Sequence, residues 1–142
     1  MADVHNALDT AIYALLSADP TLNVYGIYNT SPPDFDEIPK GEQSHQLPII
    51  IFQLMDAPIA STFGSRGFLC EYMVKAISRS RWPKEATAIS SLIDTAMEDA
   101  SLSVSGFTHL WSVRTGTIYF QETSRQIIYT HAGGIFQLME AA

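Results

Sequence analysis

Residues 68–77, Phe-Leu-Cys-Glu-Tyr-Met-Val-Lys-Ala-Ile, constrain the fold more than any other stretch of the chain. Successive side chains of an extended strand point to opposite faces. Phe68, Cys70, Tyr72, Val74 and Ala76 therefore share one side, while Glu71 and Lys75 share the other. A strand with one apolar face needs a layer to cover that face. Residues 48–55 predict a second strand, β-branched and aromatic, opened by Pro48 where a strand tolerates proline. Residues 56–67, Asp-Ala-Pro-Ile-Ala-Ser-Thr-Phe-Gly-Ser-Arg-Gly, read as a long hairpin tip between the two.

The covering layer is visible as two helical stripes. From Asp3 to about Ser17, Val4, Leu8, Ile12, Leu15 and Leu16 recur at helical spacing. Asp3 is placed to cap this helix, and Asp19-Pro20 ends it, because proline disfavours helical geometry in the residue before it. After Pro83, whose missing N–H costs nothing in a first turn, Ala86, Ile89, Leu92, Ile93, Ala96 and Met97 form a second stripe. A short strand is expected at residues 24–28. Two longer ones are expected at 109–120 and 125–139, joined by a turn at 121–124. The order α-β-β-β-α-β-β predicts an α+β fold: a mainly antiparallel sheet of about four strands with both helices on one face. Residues 1–142 read as a single domain. The polar stretch 29–47, with Pro32, Pro33, Pro39 and Gly41, reads as an extended arm; loops of that length are more often functional than incidental.

Near the end of the chain, residues 127–139 place His131 beside a glycine pair. Period-two spacing puts Ile128, Thr130, Ala132, Gly134, Phe136 and Leu138 on one face. The small residues Ala132, Gly133 and Gly134 predict close packing here, as a bulge, a sharp bend or the near approach of another backbone. No acid or nucleophile accompanies His131 in the pattern.

Other chemistry is equally thin. With one cysteine, Cys70, no disulfide framework is possible, and its place in an apolar run predicts a buried small hydrophobe. His5, His45, His109 and His131 show no metal-ligand spacing. Gly64-Ser65-Arg66-Gly67 lacks the lysine of a phosphate loop, and Asp34-Phe35-Asp36-Glu37 lacks the remaining ligands of a calcium loop. The chain is thus expected to have no catalytic residues, no metal, no cofactor and no enzymatic activity. No apolar run approaches the ~20 residues of a membrane helix, so no membrane is expected as a partner. A formal net charge of −7, with eight basic residues scattered among fifteen acidic ones, opposes a nucleic-acid-binding surface, which needs concentrated Lys and Arg. The compact patch Ser78-Arg79-Ser80-Arg81-Trp82 stands apart, because Arg and Trp are typical interface anchors. It reads as either a loop leading into the second helix or a partner contact.

Around this patch the sequence resembles the tail-completion, or tail-terminator, proteins of long-tailed bacteriophages, which also occur in prophages and gene-transfer-agent particles. A strand ending Ile77-Ser78-Arg79 is followed by a basic turn, then Glu85-Ala86 opening a helix striped by Ile89, Leu92, Ile93, Ala96 and Met97. The first helix runs into Ala14-Leu15-Leu16-Ser17-Ala18-Asp19. A Tyr28-Asn29-Thr30-Ser31-Pro32-Pro33 segment, Leu47-Pro48 at a strand start, and Ser124-Arg125 with Thr130-His131 complete the pattern. The likeness spans essentially the whole chain and rests on order and spacing. The family's last strand often reads Arg-His-Gly before alternating apolar and basic residues; here it is less basic.

The resemblance implies a virion protein of the tail or neck, assembled in a bacterial host's cytoplasm. Such proteins form a ring, taken as a homo-hexamer, on the head-proximal end of the tail tube. The ring stops tube polymerisation and docks to the head-completion connector (stopper) protein, and genome DNA passes through its lumen without specific binding. The tail tube protein is the other partner. On this reading Thr62, Phe63, Arg66 and Phe68 are expected to contact tube or neighbouring subunits, and Arg79, Arg81 and Trp82 the ring or connector. Closed rings use two different patches per subunit, which the arm and the tip can supply. The alternative is a non-viral α+β module that binds a small ligand or a protein.

Overall fold

Both helical stripes and the alternating strand form where the spacing puts them, in a computed structural model that describes residues 4–30, 47–59, 66–79, 82–98, 100–124 and 126–142. The order is α1 (Val4–Ala18), β1 (Gly26–Asn29), β2 (Ile49–Asp56), β3 (Gly67–Ser78), α2 (Lys84–Met97), β4 (Thr108–Ser124) and β5 (Ile127–Ala141). The fold is α+β, with a five-stranded sheet in the order β1-β2-β3-β5-β4.

The strand count exceeds the four expected because β1 joins the sheet, running parallel to β2 with Gly26 opposite Ile49. A parallel neighbour cannot be reached by a tight hairpin; it needs a long return connection, which residues 30–48 provide. All other neighbours are antiparallel. The turn expected at 121–124 is strand instead: Gln121, Glu122, Thr123 and Ser124 pair with Thr130, Tyr129, Ile128 and Ile127. Polar residues are ordinary on a sheet edge, which is where β4 lies. The pairing ends at Ser124 and Ile127, and Gln126 takes the left-handed conformation, with φ of 67°.

One face of the sheet meets both helices. Val4, Leu8, Ala11, Ile12 and Leu16 of α1 are buried, as are Ala86, Ile89, Ile93 and Met97 of α2. They pack on Ile50, Phe52, Cys70, Tyr72, Val74, Ala76, Phe136 and Leu138, the inward residues of three adjacent strands. Fully burying each large aliphatic or aromatic side chain contributes about 1.5–3 kcal/mol, so this layer is the main source of stability. At the end of α1, Asp19 accepts from the Thr21 N–H at 2.8 Å and the Thr21 hydroxyl at 2.6 Å, a local turn that competes with further helix. Those hydrogen bonds hold the Asp19 carboxyl below its usual range. At the end of α2, the buried Ser112 hydroxyl of β4 donates to the Met97 carbonyl at 2.8 Å, satisfying one of the helix's orphaned acceptors. Asp3, the expected cap of α1, lies outside the described residues, as does most of the arm 29–47.

The opposite face is covered only in part. Ile49, Ile51 and Ile77 form a second buried cluster with Tyr28, Leu47 and Tyr129. Towards β4 the same face leaves Trp111 and Phe120 exposed.

Candidate functional site

The glycine pair lies where β3 and β5 come close together. A Cβ on Gly133 would lie 2.5 Å from Lys75 Cα and closer still to the Val74 carbonyl oxygen, so β3 and β5 can approach only with glycine there. On the other face, a Cβ on Gly134 would meet Arg114 Nε at 2.9 Å. Arg114 lies across the strands: Nε donates to the Gly116 carbonyl at 3.1 Å, one Nη to the Gly133 carbonyl at 3.2 Å, and the other sits 3.2 Å from Asp94 on α2. The glycines thereby make room for a cation that ties the edge strand to α2. The irregularity itself is on β4, where the register shifts between Arg114 and Gly116 and again between His109 and Trp111. Ala132 is buried beside the pair.

The corner between β3 and α2 holds the arginine and tryptophan singled out by sequence. The buried Ser78 hydroxyl donates to Glu85 in the first turn of α2 at 2.5 Å, fixing the angle between strand and helix. Arg79 and Trp82 project from this corner, and Trp82 is 70% exposed. Arg81 lies outside the described residues. At the hairpin tip, Thr62 and Phe63 are likewise outside them; Arg66 is exposed, and its carbonyl accepts from the Ala142 N–H at 2.8 Å. Phe68 is a core residue packed edge-on against Phe107, with ring centroids 5.9 Å apart. The structure thus separates the tip residues Arg66 and Phe68 from the Arg79–Trp82 corner by the length of β3.

Besides Met55, Ile59 and Trp82, exposed apolar groups are found at the two edges of the sheet. Leu110, Trp111, Tyr119 and Phe120 project from β4, whose outer edge has no neighbour among the described strands. At the opposite edge, α1 and β1 border a groove of about 410 Å³ whose floor includes Tyr13, Ile27 and Phe52. Its rim is polar: Asp9 accepts from the Asn29 amide at 2.9 Å and from the Tyr72 hydroxyl, with His5 3.1 Å away. Burial, and then the Asp9 contact, push the Tyr72 phenol well above its usual range, so it remains a neutral donor.

Nucleophilic chemistry finds no support in the described residues. Cys70 is fully buried, and desolvation, with Glu140 nearby, pushes its thiol up to about 12. A thiol so disfavoured as a thiolate is inert. No group of three His, Cys, Asp or Glu side chains among the described residues is placed to hold a metal. No helix of the structure is long and apolar enough to cross a membrane. Two polar couples escaped sequence reasoning: His109 with Glu140, and His131 with Glu122, both joining β4 to β5. Their partners are 31 and 9 residues apart, and no motif signals either.

No protein-family model and no curated protein matches the chain. Among solved structures, a chain described as "Virion of native gene transfer agent (GTA) particle" has the same fold, with a TM-score of 0.74 and 17% identity, each chain covered over 100% of its length.

Proposed function

We propose that this chain is a virion structural protein that caps the head-proximal end of a phage-type tail tube as a homo-hexameric ring. It ends tube polymerisation and forms part of the surface that joins the head connector. The observation that carries this reading is the end-to-end fold likeness to a chain of a gene transfer agent virion, with no segment left over on either side. Two features of the subunit support it. Apolar groups are accessible at opposite edges of one sheet, in the groove beside β1 and on the projecting side chains of β4. A ring requires two unlike patches of this kind, whereas a two-fold dimer uses one patch twice. The charge of −7 suits a channel through which DNA slides without sticking.

Within this reading, Arg66, Thr62 and Phe63 at the tip meet the tube or a neighbouring subunit, with Phe68 anchoring the tip to the core. Arg79, Arg81 and Trp82 meet the ring neighbour or the connector. The test mixes the purified protein with purified tail tubes of its own particle, followed by negative-stain imaging and mass measurement. Rings of six copies at one tube end are expected. A protein that stays monomeric with tubes present, and never occupies their ends, refutes the proposal.

A further inference from the structure

The two histidine–glutamate couples hold the edge strand β4 to β5 in opposite senses. At one end, His109 of β4 has Nδ1 2.7 and 2.9 Å from the two carboxylate oxygens of Glu140 on β5. At the hairpin end, His131 of β5 has Nε2 2.6 Å from Glu122 of β4. Both imidazoles are nearly fully buried, with side chains 6% exposed. In each the second nitrogen, His109 Nε2 or His131 Nδ1, is buried with no hydrogen-bond partner among the described residues.

The surroundings of His131 decide what a second proton does there. On the β4 side, Phe120 stacks on the ring at 4.2 Å with planes 15° apart, and Glu122 binds Nε2. On the β3 side, Ile77 is directly opposite, and Lys75 reaches over the Phe120 ring at 5.2 Å. Tyr129, two residues along β5, adds a phenol. With Nε2–H donating to the Glu122 carboxylate, the neutral ring leaves Nδ1 bare. A second proton would put an N–H where no acceptor stands among the described residues, on a buried ring beside the Lys75 cation. An unsatisfied buried donor costs more than a bare lone pair, and a buried charge costs more still.

We propose that His131 is an acid-operated clasp on the sheet edge: protonating it frees the hairpin half of β4 from β5, while the His109–Glu140 end stays paired. The clasp goes beyond the assembly reading and needs no second subunit. An edge strand held by one neighbour opens locally at less cost than the whole domain unfolds. Burial, the largest influence, and Lys75 lower the imidazole's affinity for a proton, outweighing Glu122. For a group depressed in the folded state, the stabilisation is present above the ordinary imidazole value. It is lost as pH falls from that value through the depressed folded one. Glu140 responds oppositely: burial raises its carboxyl, despite the opposing His109 contact, so acid relieves a buried charge there.

The test is amide hydrogen exchange on the full chain at pH 7.5 and 5.0, corrected for intrinsic rates. Protection of residues 118–123 should fall several-fold at pH 5.0, with a ceiling of about 30-fold set by the unfolded imidazole's proton binding. Protection of residues 108–113 should not fall, and in His131→Phe, which keeps the stack and cannot titrate, the fall should vanish. No fall in the wild type, or an equal fall in His131→Phe, overturns the proposal. Should His131→Phe not fold, the ring resonances of His131 are titrated in the wild type and in Glu122→Gln. A wild-type midpoint below the ordinary imidazole value, moving lower still in Glu122→Gln, supports the clasp. A midpoint at or above that value, or one unmoved by Glu122→Gln, overturns it.

Discussion

Gly133→Ala tests the central packing feature of the sheet, and its sign alone is informative. Within a strand alanine ordinarily does better than glycine, which loses more backbone freedom on folding by about 0.5–1 kcal/mol. Here the added methyl meets the backbone of β3: the Val74 carbonyl oxygen and, at 2.5 Å, Lys75 Cα. Neither atom can rotate away, so β3 and β5 must separate along a stretch where twelve residue pairs are in register. Overpacking of this kind costs about 1–3 kcal/mol, and rigid neighbours place it at the upper end, about 2–3 kcal/mol after the propensity gain. Two other glycines calibrate the result. A methyl on Gly116 meets the Ile135 side chain at ordinary distances, the nearest atom, Cδ1, at 3.4 Å, so Gly116→Ala should stay within about 0.5 kcal/mol of wild type. Gly134→Ala should fall between, at about 1–2 kcal/mol, because Arg114 can move but then gives up its bonds to the Gly116 and Gly133 carbonyls. Urea unfolding followed by far-ultraviolet circular dichroism measures all three; for Gly133→Ala the midpoint should drop by about 1–2 M. A Gly133→Ala protein within 0.5 kcal/mol of wild type, or a Gly116→Ala protein that loses as much, would refute the close approach of β3 and β5.

Other outcomes are expected from single contacts. Ser112→Ala removes the buried donor to the last carbonyl of α2 and should cost about 1–3 kcal/mol by the same unfolding assay, without moving the far-ultraviolet spectrum. Glu140→Gln keeps an acceptor for His109 but abolishes a carboxyl whose affinity for protons is raised by burial, so the wild type should lose stability relative to the variant as pH rises from the ordinary carboxylate range towards neutrality. Paired urea titrations at pH 4.5 and 8 check the sign, and a wild type that gains stability relative to the variant as pH rises contradicts it. Arg79→Ala changes one exposed side chain and should move stability by no more than about 0.5 kcal/mol, yet on the assembly reading it should weaken tube-end decoration, as imaging of tubes mixed with the variant would check.

Periodicity made most of the subunit legible. Val4, Leu8, Ile12 and Leu16 repeat every helical turn, and Cys70, Tyr72, Val74 and Ala76 alternate without interruption; each set is buried as its spacing requires. The glycine pair left a bulge, a sharp bend and close approach all open, and it is in the fold that a Cβ on Gly133 meets the backbone of β3. β1 was harder to place. Four residues with a half-buried pattern carry little periodic signal, and their direction depends on how the chain returns through residues 30–48. The polar run Gln121–Ser124 has a turn's composition, and only its position on the sheet edge makes it strand. Alternation puts Phe68 on the same buried face, but its partner Phe107, 39 positions further along (107 − 68 = 39), is one that no local pattern reveals.

The histidine–glutamate couples show why the remaining polar chemistry was hidden. Near the hairpin, Ser124 faces Ile127 and Phe120 faces His131; extending that register unbroken to the other end would set Trp111 opposite Glu140. The two irregularities on β4 each advance the pairing by one residue, and together they bring His109 to Glu140 instead. Without them a fully buried carboxylate would face Trp111 in place of the imidazole whose Nδ1 lies against both of its oxygens, and a buried carboxyl needs a donor or a cation close at hand. A bulge that re-aims a side chain is a tertiary choice, made by the strand pair rather than by either strand alone. Leu110 and Thr115, the residues that the irregularities leave out of register, carry no sequence mark of it. The edge strand is therefore fixed at both ends by contacts that exist only once the sheet has formed. That is why its polar couples, and the pH response proposed for one of them, had to be read from the fold.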